Sequence, residues 1–250
     1  EIPQIPVLDA VEGIKFDFNH GIRILFPPEN KKIYHVTFLD IDTGVVLYSN
    51  DTVPGAFITS VKKFYIRFRL IIHEKGCEKP LFEHDMDLTG KEVMVQLPVG
   101  TIGDSIGWFS YVERFQLKHK CKLICVMTPW ISALVKDQYP DITFIAPEET
   151  VKFRPYASYY MGLFFKGDVD NQPIDFRYIG LHRTAGYILG LDGTDLDDLP
   201  PRFNLSAPRQ IQEKYVVIAA QSSSQAKYWN NPYGWEGVIK FLKENGYKVI

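Results

Sequence analysis

The sequence has few of the features that mark secreted, membrane or nucleic-acid-binding proteins. It contains 3 cysteines in 250 residues, an odd number that argues against a disulfide framework and favours a reducing compartment. No apolar run reaches the roughly 20 residues that cross a bilayer, and the chain does not open with a basic segment followed by an apolar one. The formal net charge of -2 gives no strongly basic surface for nucleic acid. We therefore expect a cytoplasmic protein without a membrane span or a nucleic-acid partner.

Compact metal, dinucleotide and P-loop motifs are also lacking. Cys121 and Cys125 have only His119 beside them as a further ligand, so no metal site is predicted and both thiols are expected to pack in the core. A dinucleotide fingerprint needs G-x-G-x-x-G, and a P-loop needs G-x-x-x-x-G-K-[ST]. The glycine-rich residues 98–107 have Ile102 in the place of the second glycine and no lysine behind the glycines. Both phosphate-binding motifs are therefore excluded.

Residues 1–90 are predicted to form a small, barrel-like β domain. In residues 14–18 and 64–72, apolar residues alternate with polar or amphipathic ones, a period typical of half-buried strands. Several short strands at close spacing favour a sandwich or barrel. The basic side chains of this unit form either a docking patch or, as the simpler interpretation, a solvated strand face: Lys62, Lys63, Arg67 and Arg69.

The pattern changes at residue 91 to alternating strands and helices. Residues 91–205 are predicted to form a Rossmann-like domain with a parallel βαβαβ core and a hairpin insertion near residues 157–178. A short buried helix is expected at residues 180–191. Its His182 and Arg183 either face a cleft or, as the commoner case, serve helix packing and surface charge.

The most informative stretch is residues 93–108, where a buried strand runs into a loop and then into a helix. Gly100, Thr101 and Gly103 belong to the loop, and Asp104 stands at the start of the helix. In open α/β sheets such loops lie at the carboxyl ends of the strands, where ligands bind. Asp104 has two interpretations, a helix N-cap, which the spacing alone favours, and a catalytic base.

Residues 206–250 are predicted to start a second Rossmann-like domain. A strand at residues 215–220 precedes a polar loop and an amphipathic helix, and the chain reaches Ile250 within a further strand. Because a lone strand, helix and strand cannot complete a doubly wound domain, we expect this domain to be truncated. Polar side chains of the loop are interpreted either as donor phosphate-binding groups or as members of a flexible, solvated loop: Ser222, Ser223, Ser224 and Lys227.

Two Rossmann-like units with conspicuous loops at strand ends resemble the layout of a GT-B glycosyltransferase. The loop TIGDSIGWFSYVERF resembles the first loop of the lipopolysaccharide heptosyltransferases, and AKYWNNPYGW resembles their K-x-W-P segment. With EGIKFDFNHGIRI, FITSVKKFYIRFRL and FEHD included, the whole chain is similar to the bacterial autotransporter heptosyltransferases. The expected fold class is therefore α/β with an N-terminal all-β unit, of GT-B type.

This resemblance implies an inverting O-glycosyltransferase that transfers heptose from ADP-heptose to serines of autotransporter adhesins in the bacterial cytoplasm. It implies that Asp104 is the catalytic base and that Lys227 meets the donor phosphates. It also implies iron, with ligands outside this chain, and a ring-shaped homo-oligomer, a dodecamer. Residues 1–250 alone are expected to be inactive.

An alternative from another functional class stays open. The chain would then be a non-catalytic sugar- or adhesin-binding module, in which the β-rich unit does the binding and Asp104 only caps its helix. Release of ADP from ADP-heptose in the presence of adhesin discriminates between the two functions.

Overall fold

The structure, a computed structural model, describes residues 2–97, 101–165, 168–204 and 207–250. Contacts within the chain divide it into a first unit, residues 1–204, and a second unit, residues 205–250. This division lies close to the predicted start of the second Rossmann-like domain.

The described residues before residue 90 form eight short strands. They are β1 (Leu8–Asp9), β2 (Lys15–Asn19), β3 (Arg23–Leu25), β4 (Tyr34–Asp40), β5 (Val46–Thr52), β6 (Phe57–Thr59), β7 (Phe68–Glu74) and β8 (Phe82–Asp85). In β4 and β7 buried side chains alternate with partly exposed ones, as the period-2 pattern predicts. The prediction of a β-rich N-terminal region is confirmed.

Four of these strands form an open antiparallel sheet in the order β5-β4-β7-β8. Within the part of the chain that the structure describes, its two outer strands, β5 and β8, each pair on one side only. The sheet therefore does not close, which corrects the expectation of a barrel-like unit. The physical reason is that β1, β2, β3 and β6 pair elsewhere, so too few strands remain to complete a barrel.

Beyond residue 90 the predicted alternation of strands and helices is present. The elements are β9 (Glu92–Gln96), α1 (Ile102–His119), β10 (Lys122–Val126), α2 (Pro129–Ser132), β11 (Ile142–Ile145), β12 (Ala157–Tyr160), α3 (Phe176–Ile179) and α4 (Leu181–Ile188), with 3₁₀ helices at Lys136–Gln138, Pro147–Lys152 and Gly193–Leu196. No helix in the described ranges has the length and apolar character required to cross a membrane.

Strands β9, β10 and β11 are parallel neighbours, as predicted. Because successive side chains of a strand point to opposite faces, Val93 and Val95 of β9 belong to one buried cluster and Met94 to another. Helix α1 covers the first of these faces, where Trp108 and Phe109 join the same cluster as the two valines. The helical spacing of apolar residues after the loop therefore has the predicted structural role.

Strand β12 corrects the prediction of a hairpin at residues 157–178. It lies within the sheet, parallel to β9 on one side and to β2 on the other. Residues Phe176–Ile179 are helical, and the side chain of Asp175 accepts a hydrogen bond from the backbone N–H of Arg177 at their start. The apolar run before residue 161 is thus a buried central strand, which periodicity alone does not distinguish from a hairpin strand.

Strand β2 joins the N-terminal strands to the parallel sheet. The complete order is β11-β10-β9-β12-β2-β3-β6, with β1 also paired to β2. The sheet therefore crosses the boundary predicted near residue 90, and residues 1–90 do not stand apart from the parallel sheet. Backbone hydrogen bonding between β2 and β12 is the reason, and no local sequence pattern reports such a pairing.

A buried ion pair fixes the position of β2. Arg23 donates from Nε to Asp17 Oδ1 at 2.8 Å and from Nη2 to Oδ2 at 2.6 Å. Backbone N–H groups of Val7 and Asn19 donate to the same carboxylate, each at 3.2 Å. The side chains of Asp17 and Arg23 are only 0% and 7% exposed, so the four bonds replace the water that both ions lose on folding.

The second unit contains β13 (Tyr215–Val216), α5 (Gly234–Glu244) and β14 (Lys248–Val249), with a 3₁₀ helix at Gln225–Lys227. Strands β13 and β14 are parallel, which matches the predicted strand, helix and strand. Gly246, which follows the C-cap residue Asn245 of α5, has a φ of +79°, a left-handed conformation that glycine adopts at little cost.

We expect Asp17→Ala to destabilise the first unit by about 3–5 kcal/mol, because removing one partner leaves a buried, uncompensated guanidinium. Chemical denaturation followed by circular dichroism measures the effect.

Asp42→Ala is the matched control. Asp42 pairs with Arg67 at 3.2 Å, but both side chains are about half exposed (57% and 47%). Removing such a pair costs about 0–1 kcal/mol. Equal losses for the two variants would contradict a special role of the buried pair.

Candidate functional site

The strand order creates a topological switch point at the carboxyl ends of β9 and β12. From β9 the chain moves to β10 and β11 on one side of the sheet and then returns to β12 on the other side. In open α/β sheets, ligands bind in the crevice at such a point. The side chains at this edge include Gln96 at the end of β9, Tyr160 at the end of β12 and His20 directly after β2.

Asp104 lies at this edge in the first turn of α1 and is half-buried. The N-cap of the helix is Thr101, which corrects the interpretation of Asp104 as the cap itself. The hydroxyl of Thr101 donates to Oδ2 of Asp104, so the carboxylate is held by a side chain three positions earlier. A Cβ on Gly103, the residue before it, would meet no atom within 4 Å. Gly100, the third predicted loop residue, lies outside the described residues.

His20 occupies a constrained turn beside Gln96. Its φ is +55°, an uncommon left-handed conformation for a residue other than glycine. The next residue, Gly21, also has positive φ, and a Cβ there would lie 2.2 Å from Ser60 Oγ. The side-chain amide of Gln96 donates to His20 Nε2 at 3.4 Å, which leaves the ring proton on Nδ1.

Burial lowers the pKa of His20 to about 4, and the positive charges of Arg23 and Lys63 contribute to this lowering. The ring is therefore neutral at pH 7. A neutral imidazole at the sheet edge can donate and accept hydrogen bonds without adding charge to the site.

Lys227 and the three serines belong to the second unit. All four are exposed, and Lys227 ends the 3₁₀ helix Gln225–Lys227. Its Nζ lies 3.4 Å from Ser223 Oγ, while Ser224 is the N-cap residue of the same helix. Ser222 precedes them in the same polar loop. The loop thus groups one ammonium with hydroxyl and backbone N–H groups, a set suited to phosphate.

Three of the four basic side chains considered as a docking patch are paired with carboxylates. Lys62 contacts Asp170 at 3.0 Å, and Arg67 and Arg69 pair with acidic neighbours on their own sheet. Lys63 is different, because its ammonium turns toward the sheet edge and donates to Thr59 Oγ1 at 2.9 Å. The solvated-face interpretation is therefore favoured for three of the four.

His182 and Arg183 share one carboxylate. Nε2 of His182 lies 2.7 Å from Asp198 Oδ1, and Nη2 of Arg183 donates to Oδ2 at 3.0 Å. These contacts fasten residues 193–198 to α4. They favour surface pairing for Arg183, whereas His182 also lines a cavity of about 230 Å³ with Gly107 and Tyr111.

A second polar row lies on the open sheet. His35 Nδ1 is 2.9 Å from Asp51 Oδ1, and Nε2 is 2.8 Å from Ser49 Oγ. The order of groups is that of a Ser-His-Asp triad, but His35 and Asp51 are each 40% exposed, and Asp51 also pairs with Lys75 at 2.7 Å. Because a triad works with preorganised oxyanion donors in a water-excluded site, we assign this row to cross-strand stabilisation.

His20, Gln96 and Tyr160 are not predicted by any sequence motif. The signal that the sequence does carry is positional, since each residue ends or directly follows a strand of the parallel sheet. The three positions can be recognised as neighbours only when β2 and β12 are known to pair with each other.

Residues 11–76 match the family model described as the N-terminal domain of glycosyltransferase TibC. Over 248 residues the chain is 49% identical to the autotransporter heptosyltransferase Aah of Escherichia coli, a match that covers 99% of this chain and 62% of Aah. The resemblance to the autotransporter heptosyltransferases is confirmed. The chain spans less than two thirds of the length of the curated relatives it matches.

The fold agrees with this family. A crystal structure of TibC from enterotoxigenic E. coli, described as an iron-containing dodecameric glycosyltransferase, matches with a TM-score of 0.93 and 45% identity, covering 100% of this chain and 64% of that one. A second TibC structure, in complex with ADP-D-beta-D-heptose, also has a TM-score of 0.93, with 46% identity over 100% of this chain and 63% of that one. The mixed α/β fold with its N-terminal β-sheet region is therefore the fold of the corresponding part of TibC.

A relative described as inactive also matches the chain. The protein BimC of Burkholderia thailandensis is described as an inactive autotransporter heptosyltransferase. It is 35% identical to this chain over 249 residues, covering 98% of the chain and 56% of BimC.

The iron named for TibC has no matching ligand set in the described ranges of this chain. Among those residues, no three His, Cys, Asp or Glu side chains are grouped so that they could hold a metal ion. Cys121 and Cys125 are free, buried thiols, and burial raises the pKa of Cys121 to about 12. Both pack in the core as predicted.

We expect His20 to make stability depend on pH. Its native pKa of about 4 lies below the 6.5 of an unperturbed histidine, so the unfolded chain binds more protons between these values. This stabilisation is complete above about pH 6.5 and is lost as the pH falls toward 4.

His20→Asn should reduce the loss of unfolding free energy between pH 7 and 5, since asparagine tolerates positive φ and does not titrate there. Urea unfolding at both pH values measures the difference, and an NMR titration of the His20 ring should have its midpoint near 4. A midpoint near 6.5 would contradict the assignment. His119, whose pKa burial also lowers to about 4, remains in both proteins as an internal reference.

Proposed function

We propose that the chain is part of an inverting protein O-heptosyltransferase that transfers heptose from ADP-heptose to serines of an autotransporter adhesin. The observation that carries this proposal is the match across the whole chain to Aah and TibC, one of which has been crystallised with ADP-heptose. The position of Asp104 at the carboxyl edge of the parallel sheet, where ligands bind in such folds, supports its proposed catalytic role.

Asp104 is the general base in this proposal. It takes the proton of the attacking serine hydroxyl while the serine oxygen forms a bond to the anomeric carbon of heptose. The bond from that carbon to the diphosphate breaks on the opposite side of the ring, and ADP leaves with the electron pair. One carboxylate suffices for this displacement, and the Thr101 hydroxyl holds it in place.

Lys227 meets the diphosphate of the donor, with Ser222, Ser223 and Ser224 as further contacts. Negative charge grows on the diphosphate as ADP departs, so an ammonium there stabilises the transition state more than the ground state. Asp104 belongs to the first unit and Lys227 to the second, which agrees with the division of labour in a GT-B enzyme.

Further properties are proposed for the whole protein because it resembles the autotransporter heptosyltransferases. They are a GT-B architecture completed by further residues of the second Rossmann-like domain, a dodecameric assembly, bound iron with ligands elsewhere, and a bacterial cytoplasmic location. TibC is described as an iron-containing dodecamer, which supports the assembly and the metal.

A second function is a non-catalytic adhesin- or sugar-binding module. The description of BimC as inactive is the observation that favours it. The two functions differ in one measurement, which is ADP release from ADP-heptose by the full-length protein with adhesin present. Absence of adhesin-dependent ADP release and of heptose incorporation would favour the binding module.

Asp104→Asn should abolish most transfer while leaving the fold intact. Asparagine still accepts the hydrogen bond from Thr101 and loses only the interaction of the charge with the helix end, worth about 0.3–1 kcal/mol. Loss of a general base lowers the rate about a hundredfold to ten-thousandfold. Mass spectrometry of an adhesin fragment measures heptose incorporation, with thermal melting and ADP-heptose titration of the same variant alongside.

Asp137→Asn is the control for this substitution. Asp137 also stands in the first turn of a short helix, where it accepts a hydrogen bond from Asn204 at 2.8 Å, and it has no part in the proposed reaction. Its variant should transfer heptose at the unsubstituted rate. A folded Asp104→Asn protein with that same rate would remove Asp104 from the mechanism.

Lys227→Ala in the full-length protein should weaken ADP-heptose binding. A charge-assisted contact contributes about 1.5–3 kcal/mol, equivalent to a roughly 10- to 150-fold increase in Kd. Lys240→Ala, at an exposed lysine of α5, is the matched control and should bind the donor normally. Unchanged donor affinity and turnover in Lys227→Ala would show that Lys227 is a solvated side chain without a role in donor binding.

A further inference from the structure

A small cavity opens beside the switch point, at the ends of β2 and β12. Its volume is about 270 Å³, and it is lined by His20, Lys63, Tyr160, Phe164 and Asn171. Pockets for small molecules and cofactors usually have about 300–1,000 Å³. The cavity lies just below this range, and its volume fits one or two residues of a polypeptide.

Aromatic rings form one wall of this cavity. The ring centroids of His20 and Tyr160 are 6.0 Å apart in an edge-to-face arrangement, and those of Tyr160 and Phe164 are 6.4 Å apart. Tyr160 is 40% exposed, so its ring presents apolar surface to an incoming group. Such surface favours the aliphatic part of a small side chain.

Lys63 gives the cavity one directional polar group. Its ammonium donates to Thr59 Oγ1 at 2.9 Å and to the carbonyl oxygen of Ser60 at 2.5 Å. An ammonium has three N–H donors, so in the described ranges one donor remains for a further acceptor. A peptide carbonyl meets that need, and the neutral His20 ring adds hydrogen-bonding capacity without charge.

The walls are held in place before any ligand binds. Gln172, only 1% exposed, donates from Nε2 to the carbonyl oxygen of Phe164 at 2.8 Å. Asn171 donates from Nδ2 to Asp168 at 2.9 Å, and the backbone N–H of Lys63 donates to the carbonyl oxygen of Asp170 at 2.7 Å. A preorganised cavity loses little conformational entropy on binding.

We propose that this cavity is a subsite for the acceptor polypeptide and takes a small, uncharged residue that flanks the serine to be modified. The inference rests on the proposed function and adds the position of its acceptor. In the sheet, β2 lies two strand positions from β9, or about 10 Å. An extended peptide covers that distance in about three residues, so the occupant stands about three positions from a serine that reaches the carboxyl end of β9.

Tyr160→Ala in the full-length protein tests this subsite. The acceptor KM, and the Kd of a fluorescently labelled acceptor fragment measured by anisotropy, should each rise about tenfold or more, as for an aromatic contact at the centre of an interface. The Kd for ADP-heptose and the kcat at saturating acceptor should stay within about twofold, because the reacting groups are untouched. Tyr160→Phe keeps the ring and should bind the acceptor nearly normally.

Gly162→Ala provides an independent change in the same wall, with circular dichroism to check that the variant folds. Its Cβ would lie 3.1 Å from ring atoms of both Tyr160 and Phe164, so both rings must shift slightly. Acceptor binding should weaken again. Tyr178→Ala, at a tyrosine that is 85% exposed and outside the cavity, is the matched control and should behave like the unsubstituted protein.

Two results overturn the subsite. The first is an unchanged acceptor affinity in both Tyr160→Ala and Gly162→Ala. The second is a higher Kd for ADP-heptose with a normal acceptor affinity, which would show that the cavity binds the sugar of the donor. A failure of the proposed function gives a different result. The unsubstituted protein would then bind the acceptor, and Tyr160→Ala would weaken that binding, but no heptose would be transferred; this result supports the subsite and refutes catalysis.

Discussion

The buried ion pair between Asp17 and Arg23 fixes the strand on which both parts of the first unit depend. Strand β2 carries Asp17. It pairs with three strands, β1, β3 and β12, and so connects the N-terminal strands to the parallel sheet. The pair is costly to bury, and its four hydrogen bonds to the carboxylate make that burial tolerable. The pair links β2 to β3, on which Arg23 lies directly opposite Asp17.

The pairing of β2 with β12 determines the geometry of the candidate site. Because β2 occupies a position in the parallel sheet, the turn that follows it brings His20 beside Gln96 at the end of β9. The neutral imidazole and the aromatic ring of Tyr160 thus lie at the same sheet edge as the carboxyl end of β9. A β domain tethered separately would place no side chain there, so the N-terminal strands serve the site as well as the fold.

The sequence predicts local elements of this fold well and its long-range pairings poorly. Helix α1 and strand β9 follow from apolar spacing, and both lie within two residues of their expected positions. The hairpin expected near residue 157 is wrong because a short apolar run has the same pattern in a hairpin and in a buried parallel strand. Asp104 is correctly placed at the sheet edge, while His20 is missed because its role depends on the pairing of β2 with β12.

The pairing of β2 with β12 also has a consequence for synthesis of the chain on the ribosome. Phe18 pairs with Ala157, so β2 emerges about 140 residues before its parallel partner. At about 5–20 residues per second, this edge of β2 waits roughly 7–28 seconds for β12. During that interval an apolar strand edge is open to non-native pairing, and closing so long a loop is intrinsically slow. The yield of the first unit on expression should therefore respond more strongly to translation speed than that of a protein with local strand pairing.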